Sequence, residues 1–467
     1  MRHFSAVLAL AAGLGATVLV RPADAQGYGV YEQGACAMGR ANTGVASPCA
    51  DGSTVFFNPA GVAFAPRGNT LSFGGTVIAP RNRFTADLDG ARTEMLNKIY
   101  PVPNVYYTRP VARSFAMGLG VYAPYGLTTE WPTTFPGRFE GYKSRIQAVY
   151  AQPTAAVKLL GDRLAIGAGP TVVYGTVELR RRLDLSTVAL PAPAPAGLTF
   201  GNLGIPLGTD FADVKLSGHA VGYGGHFGAQ VRATDWLSLG ARYLTKVKLD
   251  FDNGDATISQ VSTGILLPQG NPFGVPTGTP LDQVVAPQFT GSGPLQNQKG
   301  NTELRLPAQL VAGVEIKPVR DVSLLFDWQY TWWEAFDTVT INFERLPTTQ
   351  LREDYRNIST FRVGGEWRAD PANTVRLGYV NHGAAAPNYS VTPNLPEGPR
   401  SAYTIGYGRQ IGNFRVDMAY MYIQQGDRRG RTGPLPAGFN PASSPSPNSG
   451  LYEGYAHLFG ATFTFAF

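Results

Sequence analysis

From Gly68 to its last residue the chain keeps returning to one pattern, segments of roughly ten residues in which apolar and polar side chains alternate. A period of two sends successive side chains to opposite faces of a strand. The run His457-Leu458-Phe459-Gly460-Ala461-Thr462-Phe463-Thr464-Phe465-Ala466-Phe467 keeps it most strictly and ends on an aromatic ring. In the first such segment Leu71, Phe73 and Val77 share one face and Thr70, Ser72 and Thr76 the other. Further on, Val322, Leu324, Phe326, Trp328 and Tyr330 alternate with Ser323, Asp327, Gln329 and Thr331, Leu325 being the exception. Phe361, Val363 and Trp367 oppose Arg362, Glu366 and Arg368, and Phe414, Val416, Met418, Tyr420 and Tyr422 oppose Arg415 and Asp417. Strands with rings on one face and charges on the other suit a closed membrane barrel, its apolar face to lipid and its charges inside.

About fourteen segments follow, near 70–79, 101–110, 113–124, 143–158, 162–180, 214–232, 235–251, 302–317, 320–345, 354–369, 373–383, 399–410, 412–425 and 455–467. An even number is what bacterial barrels require. The fold class is therefore all-β, a transmembrane antiparallel β-barrel over 67–467. Three connections, near 183–213, 252–301 and 424–454, are long and rich in Pro, Gly, Ser and Thr, and long loops face away from the cell. The first is rich in leucine, and Ile265, Leu266, Leu267, Phe273, Val284, Val285 and Phe289 enrich the second. Those side chains either offer a landing place to a greasy ligand or pack together to close the barrel mouth.

The stretch from Tyr28 to Pro66 is different. Small residues and turn formers dominate it, and Asn58-Pro59-Ala60-Gly61 is a cluster of helix and strand breakers. A segment that cannot bury itself is best placed inside the barrel, so residues 26–66 are expected to form a hatch in the lumen. Ahead of it, Met1-Arg2-His3, the apolar run Phe4 to Val20 and the Ala23-Asp24-Ala25 cleavage signal describe a signal peptide over 1–25, with Gln26 the first mature residue. Both cysteines, Cys36 and Cys49, fall in the hatch; an exported chain meets an oxidising compartment, so a disulfide is expected over two buried thiols.

Several function classes fall away. No later run reaches the twenty apolar residues of a membrane helix. The 39 basic residues are scattered apart from Arg180-Arg181-Arg182, which argues against nucleic acid as a partner despite a net charge of +6. His219, His226, His382 and His457 lack metal-ligand spacing, and no G-x-S-x-G elbow is present, so no catalytic residue, metal or cofactor is expected. Gly222 to Gly228 is glycine-rich but lacks the spacing and βαβ setting of a nucleotide loop. A water-filled porin with Arg180, Arg181, Arg182, Arg362 and Asp327 at a constriction is the alternative, and a barrel hydrolase a more distant one.

Glu32, Gly39-Arg40-Ala41, Gly44 and Asn58-Pro59-Ala60, with Gly120 to Trp131, Gly137-Arg138-Phe139, Trp236-Leu237-Ser238, Lys246-Val247-Lys248, Trp332-Trp333 and Phe336-Asp337, are arranged as in the FadL-type outer-membrane transporters, and the chain resembles them over nearly its whole mature length. That resemblance implies passive uptake of long-chain fatty acids or aromatic hydrocarbons. Ligand would be captured at the loops, held beside the hatch and released sideways through a gap at a kink in the third strand, here Arg113 to Pro124 with Gly118, Gly120 and Pro124. The triplet Asn58-Pro59-Ala60 is expected to abut that strand and satisfy its unpaired backbone. An acidic ligand would need a cation inside, for which Arg180, Arg242, Lys246 and Arg362 are candidates. The expected partners are the ligand, the bilayer with its lipopolysaccharide, and the barrel assembly machinery, which would read the C-terminal strand of a monomer.

Overall fold

Strand β1 (Thr70–Ala86) pairs along its whole length with the last strand, β19 (Gly450–Ala466), so the sheet has no free end and becomes a barrel. The structure, a computed structural model, describes residues 27–64, 68–87, 89–190, 197–430 and 449–467; the expected signal peptide over 1–25, Gln26, Pro66 and much of the third long connection lie outside them. After β1 come β2 (Arg92–Glu94), β3 (Tyr100–Pro110), β4 (Phe115–Glu130), β5 (Lys143–Leu159), β6 (Leu164–Asp184) and β7 (Asp210–Arg232). Four staves are then built from broken pairs: β8 (Leu237–Leu244) with β9 (Val247–Gln260), β10 (Gln298–Leu306) with β11 (Gln309–Val319), β12 (Val322–Thr331) with β13 (Thr338–Phe343), and β14 (Thr349–Arg352) with β15 (Ile358–Arg368). Strands β16 (Asn373–His382), β17 (Arg400–Ile411) and β18 (Phe414–Gly430) complete the wall. Among the described residues this makes fourteen antiparallel staves, one for each alternating segment of the sequence.

The alternation sorts as its period demands. Phe73, Phe326, Phe361, Val363 and Met418 are exposed on the outer wall, whereas Thr70, Ser72, Asp327, Arg362 and Asp417 are buried within. Leu325, the exception in its strand, also points inward and is buried. Turns at one end are short, as at 160–163 and 412–413, and connections at the other are long, which sets the long-loop end on the outside. There Leu185, Phe200, Phe211, Ile258, Leu267, Leu281 and Val285 pack into one apolar cluster shared by the first two long loops.

Residues 27–64 fill the lumen. Two short helices, α1 (Ala35–Met38) and α2 (Thr54–Phe57), and a 3-10 helix over Pro59–Phe64 are its only regular elements, and nearly every residue is buried. One-turn helices of this kind do not persist alone in water; the wall holds them. Asp327 accepts the N–H groups of Gly44 and Val45 at 2.8 and 3.2 Å, and Ala35 N–H donates to Thr462 Oγ1 at 2.9 Å. Arg40 reaches Glu366 at 3.5 Å, and Glu366 is also held by Arg376 at 2.7 Å. The backbones come so close at Gly39 and Gly406 that a Cβ on Gly39 would lie 2.7 Å from the Gly406 Cα. Cys36 and Cys49 are joined by a disulfide with their Cα atoms 6.3 Å apart.

Candidate functional site: a gap in the wall beside the N-terminal segment

The ladder between β3 and β4 stops early. Pairing runs from Pro110↔Ala116 to Val105↔Val121 and no further, although β3 continues to Tyr100 and β4 to Glu130. On their other edges both strands stay in the sheet, β3 with β1 up to Tyr100 and β4 with β5 up to Lys143. A stretch of wall between Tyr100–Asn104 and Tyr122–Thr129 is therefore unzipped. Pro101 and Pro103 have no N–H to offer, and an irregularity between Tyr122 and Tyr125 shifts the register of β4 around Pro124. The gap is closed at its outer end, where Leu96 N–H donates to Glu130 O at 2.8 Å and Lys98 pairs with the Glu130 carboxylate at 2.7 Å.

Exposed ladder groups inside a membrane wall must find partners, and the N-terminal segment supplies them. Val30 N–H donates to Pro124 O at 2.8 Å and Gly126 N–H to Tyr28 O at 2.9 Å, so residues 28–30 stand in as a short antiparallel strand. At the irregularity the Gln33 side-chain amide does the work of a peptide group, accepting from Ala123 N–H at 3.1 Å and donating to Ala123 O at 2.8 Å. The strip is anchored at its start by the buried Glu397 carboxylate, which accepts from Gly27 N–H at 2.9 Å and from Ala385 and Ala386 N–H. Rings pack around it: Tyr28 lies 4.8 Å from Trp333, 5.2 Å from Phe336 and 6.0 Å from Tyr125, centroid to centroid.

A cavity of about 550 Å³ adjoins the strip. Its inner lining includes Tyr28, Val30, Ile78, Leu127 and Leu458, and its outer lining Thr128, Arg145 and Gln147, which face the membrane side of the wall. Residues of both faces line one space, so it passes through the gap. That size and its largely apolar inner lining suit a small hydrophobic ligand, with Glu32 and Arg400 the charged groups on the lumen side.

The residues singled out from sequence are distributed unevenly around this site. Glu32 accepts from Asn42 at 3.1 Å and lines the cavity. Gly39 and Arg40 belong to the seat on the opposite wall. The triplet's own bonds do not go to the unpaired edge of β4: Asn58 Nδ2 donates to Ala229 O on β7 at 2.9 Å and to Val45 O at 2.6 Å, and Pro59 and Ala60 lie against Gly167 of β6, while the 3-10 helix they open reaches β4 through Val62 beside Gly118. Gly118 and Gly120 sit below the gap, where a Cβ on either would meet Val55 at 2.9 Å; of the three proposed gap residues only Pro124 borders it. Arg242 and Arg362 are inside and buried, 4.7 Å from the rings of Phe56 and Tyr31 respectively. Arg180 is not luminal, because it shares a face with Tyr174, which is 50% exposed on the outer wall. Lys246 is exposed at the break between β8 and β9. Sequence reasoning passed over Gln33, Glu397 and the pair Pro101 and Pro103; two prolines within one strand segment are a legible sign of an unpaired edge.

A closed fourteen-stave barrel whose lumen holds its own N-terminal segment, with one opening through its side, is a plugged membrane barrel rather than an open pore. The chain belongs to the family of outer membrane protein transport proteins (OMPP1/FadL/TodX), whose model matches residues 16–467. It is 24% identical to a long-chain fatty acid transport protein of Escherichia coli O6:H1 over 94% of each chain, and 22% identical to outer membrane protein P1 of Haemophilus influenzae over 86% of each. Its fold is similar to that of a Pseudomonas aeruginosa FadL homologue, with a TM-score of 0.76, 19% identity and coverage of 95% of this chain and 100% of the other. The Pseudomonas putida toluene transporter TodX matches with a TM-score of 0.64 at 18% identity, over 96% of this chain and 99% of that one. This chain is accordingly a protein of the bacterial outer membrane.

Proposed function

We propose that the protein takes up hydrophobic small molecules, which bind in the cavity beside residues 28–30 and leave sideways between β3 and β4. The observation that carries this reading is the through-wall cavity at the unzipped ladder. Residues 26–66 act as the hatch: its described part, residues 27–64, occupies the axial path that a porin would leave open, which disfavours free diffusion of water-soluble solutes. Relatives named for long-chain fatty acid transport and for toluene transport mark the range of cargo. Binding is driven by apolar burial, at about 0.8 kcal/mol per methylene, and no chemical step or energy source is called on. The apolar cluster of the outer loops is itself buried; Leu198, Leu207 and Leu266, exposed on those loops, are the apolar side chains that such a ligand meets first.

Val102 lines the cavity at the β3 edge. Because both natural cysteines are bridged, a Val102→Cys substitution introduces a single thiol at the gap. Modification of that thiol with a bulky maleimide is expected to abolish cellular uptake of a radiolabelled fatty acid and of toluene while the outer loops still bind ligand. Undiminished uptake after complete modification excludes passage through this gap.

A further inference from the structure

The outer face of the wall carries a charge imbalance that the transport reading does not use. On β6 the residues on the same face as the exposed Tyr174 are, going outward, Thr176, Glu178, Arg180 and Arg182. Their neighbours in register on that face are Lys143 and Arg145 of β5 and Asp213 and Lys215 of β7. The patch continues through Glu130 to Lys98, at the outer lip of the gap. Seven cations, Lys98, Lys143, Arg145, Arg180, Arg182, Lys215 and Lys299, thus share four carboxylates, Glu130, Glu178, Asp213 and Asp255. Lys143 lies 3.2 Å and Arg180 2.7 Å from Glu178, while Arg145 makes no ion pair among the described residues and Lys215 has beside it only Asp255, a carboxylate already held by Lys299. Elsewhere on the outer face Lys248 and Arg305 are balanced by Asp250 and Glu303, and Arg83 is paired with Glu453.

Height decides what the surplus meets. Arg145 is four residues beyond the lipid-facing Val149 on β5, and at roughly 3.3 Å per residue on a strand tilted by about 40° it stands about 10 Å above that ring of apolar side chains. That is the level of headgroups, on the long-loop side of an outer-membrane protein. Lys and Arg at such a level attract anionic headgroups, and guanidinium forks fit phosphate oxygens. We propose that this outward belt is a docking site for a phosphate-bearing glycolipid of the outer leaflet. Arg145, which makes no ion pair among the described residues, and Lys215, which shares Asp255 with Lys299, are its least compensated cations, and Lys143 and Arg180 complete the cradle. A headgroup held there lays its acyl chains over the gap between β3 and β4, so the first thing that a departing ligand meets is the tail of a docked lipid.

Native mass spectrometry of the full-length protein, extracted from outer membranes in mild detergent and offered purified outer-leaflet glycolipid, tests this directly. Wild-type protein is expected to retain the phosphorylated glycolipid at least tenfold better than the same lipid stripped of its phosphates. The double variant Arg145→Gln/Lys215→Gln is expected to lose that retention at least tenfold, and Lys248→Gln/Arg305→Gln to keep it. Equal retention of the two lipids by wild type assigns the contact to sugar or acyl chains and overturns the proposal. So does full retention by the Arg145/Lys215 variant. Folding of each variant is checked by the heat-dependent gel shift of an intact barrel, and the comparison of the two lipids on wild type stands even if a variant fails to fold.

Discussion

Gln33 is the residue whose loss should most directly loosen the seal at the gap. Its amide makes two bonds to the backbone of Ala123 and a third to Val30 O at 3.1 Å, all in a wall position where water cannot easily substitute. A Gln33→Leu substitution keeps the bulk and removes all three. A net loss near 1 kcal/mol for each of the two Ala123 bonds, which is the lower end for groups left without a partner, gives about 2 kcal/mol. At a factor of ten per 1.4 kcal/mol, the fraction of molecules with residues 28–33 detached should rise roughly thirtyfold. Hydrogen exchange reads this population directly when reclosing is fast. In protein held in lipid nanodiscs, peptides containing the Val30 and Gly126 amides are expected to exchange roughly thirtyfold faster than in wild type, with those of β5 unchanged. Gln33→Asn, too short to reach both groups, should behave like Leu. If the Val30 and Gly126 amides exchange at the wild-type rate in Gln33→Leu, the strip is not held by this amide, and the account of how the gap is sealed fails.

The remaining expectations concern the same seal and its surroundings. Gly120→Val drives new methyl groups into Val55 and the Tyr106 ring, 2.9 and 3.0 Å from the site of the Cβ; overpacking of about 1–3 kcal/mol should unseat α2 and raise single-channel conductance, and Val55→Ala should restore the wild-type value. Cys36→Ser/Cys49→Ser opens a loop of 13 residues of sequence separation, worth about 3 kcal/mol in the chain-entropy model, and should make the N-terminal segment a protease substrate from the short-turn side under conditions where wild type resists. Glu397→Gln keeps the shape but weakens the charge-assisted bond to Gly27 N–H by about 1 kcal/mol, and should speed exchange at the start of the strip without altering the melting of the barrel. In the second long loop, burial works to raise the Asp282 carboxyl, but bonds from Ser262 and Thr263 outweigh it and hold it below the ordinary aspartate value. The stabilisation is therefore present above that value and lost as pH falls through the lowered one, so amides near Thr263 should lose protection only in acid; loss at neutral pH would contradict the assignment.

The period-two alternation carried most of the architecture. It depends only on which face of a strand meets lipid, a local property, so the fourteen staves, the outward rings and the inward position of Asp327 and Arg362 were legible without coordinates. The compact, glycine-rich character of Tyr28 to Pro66 likewise pointed into the lumen, because a segment with no core must borrow one. What could not be read was which part of that segment touches which stave. Asn58-Pro59-Ala60 and the kinked strand are both conspicuous in sequence, yet the triplet does not bond to the open edge of that strand; its seat is chosen by where β6 and β7 leave room for backbone at Gly167 and Gly228. Arg180 was misplaced for a related reason. A charge on a barrel strand points inward at the depth of the lipid tails, but beyond the apolar band the outer face is equally wet, and only the height of a residue on the closed wall separates the two cases. Alternation along the chain thus determined the barrel, its lumen segment and the sidedness of most residues. The tertiary structure alone decided the gap, the strip that seals it and the outward belt, because each is made by groups far apart in sequence that meet only when the sheet closes.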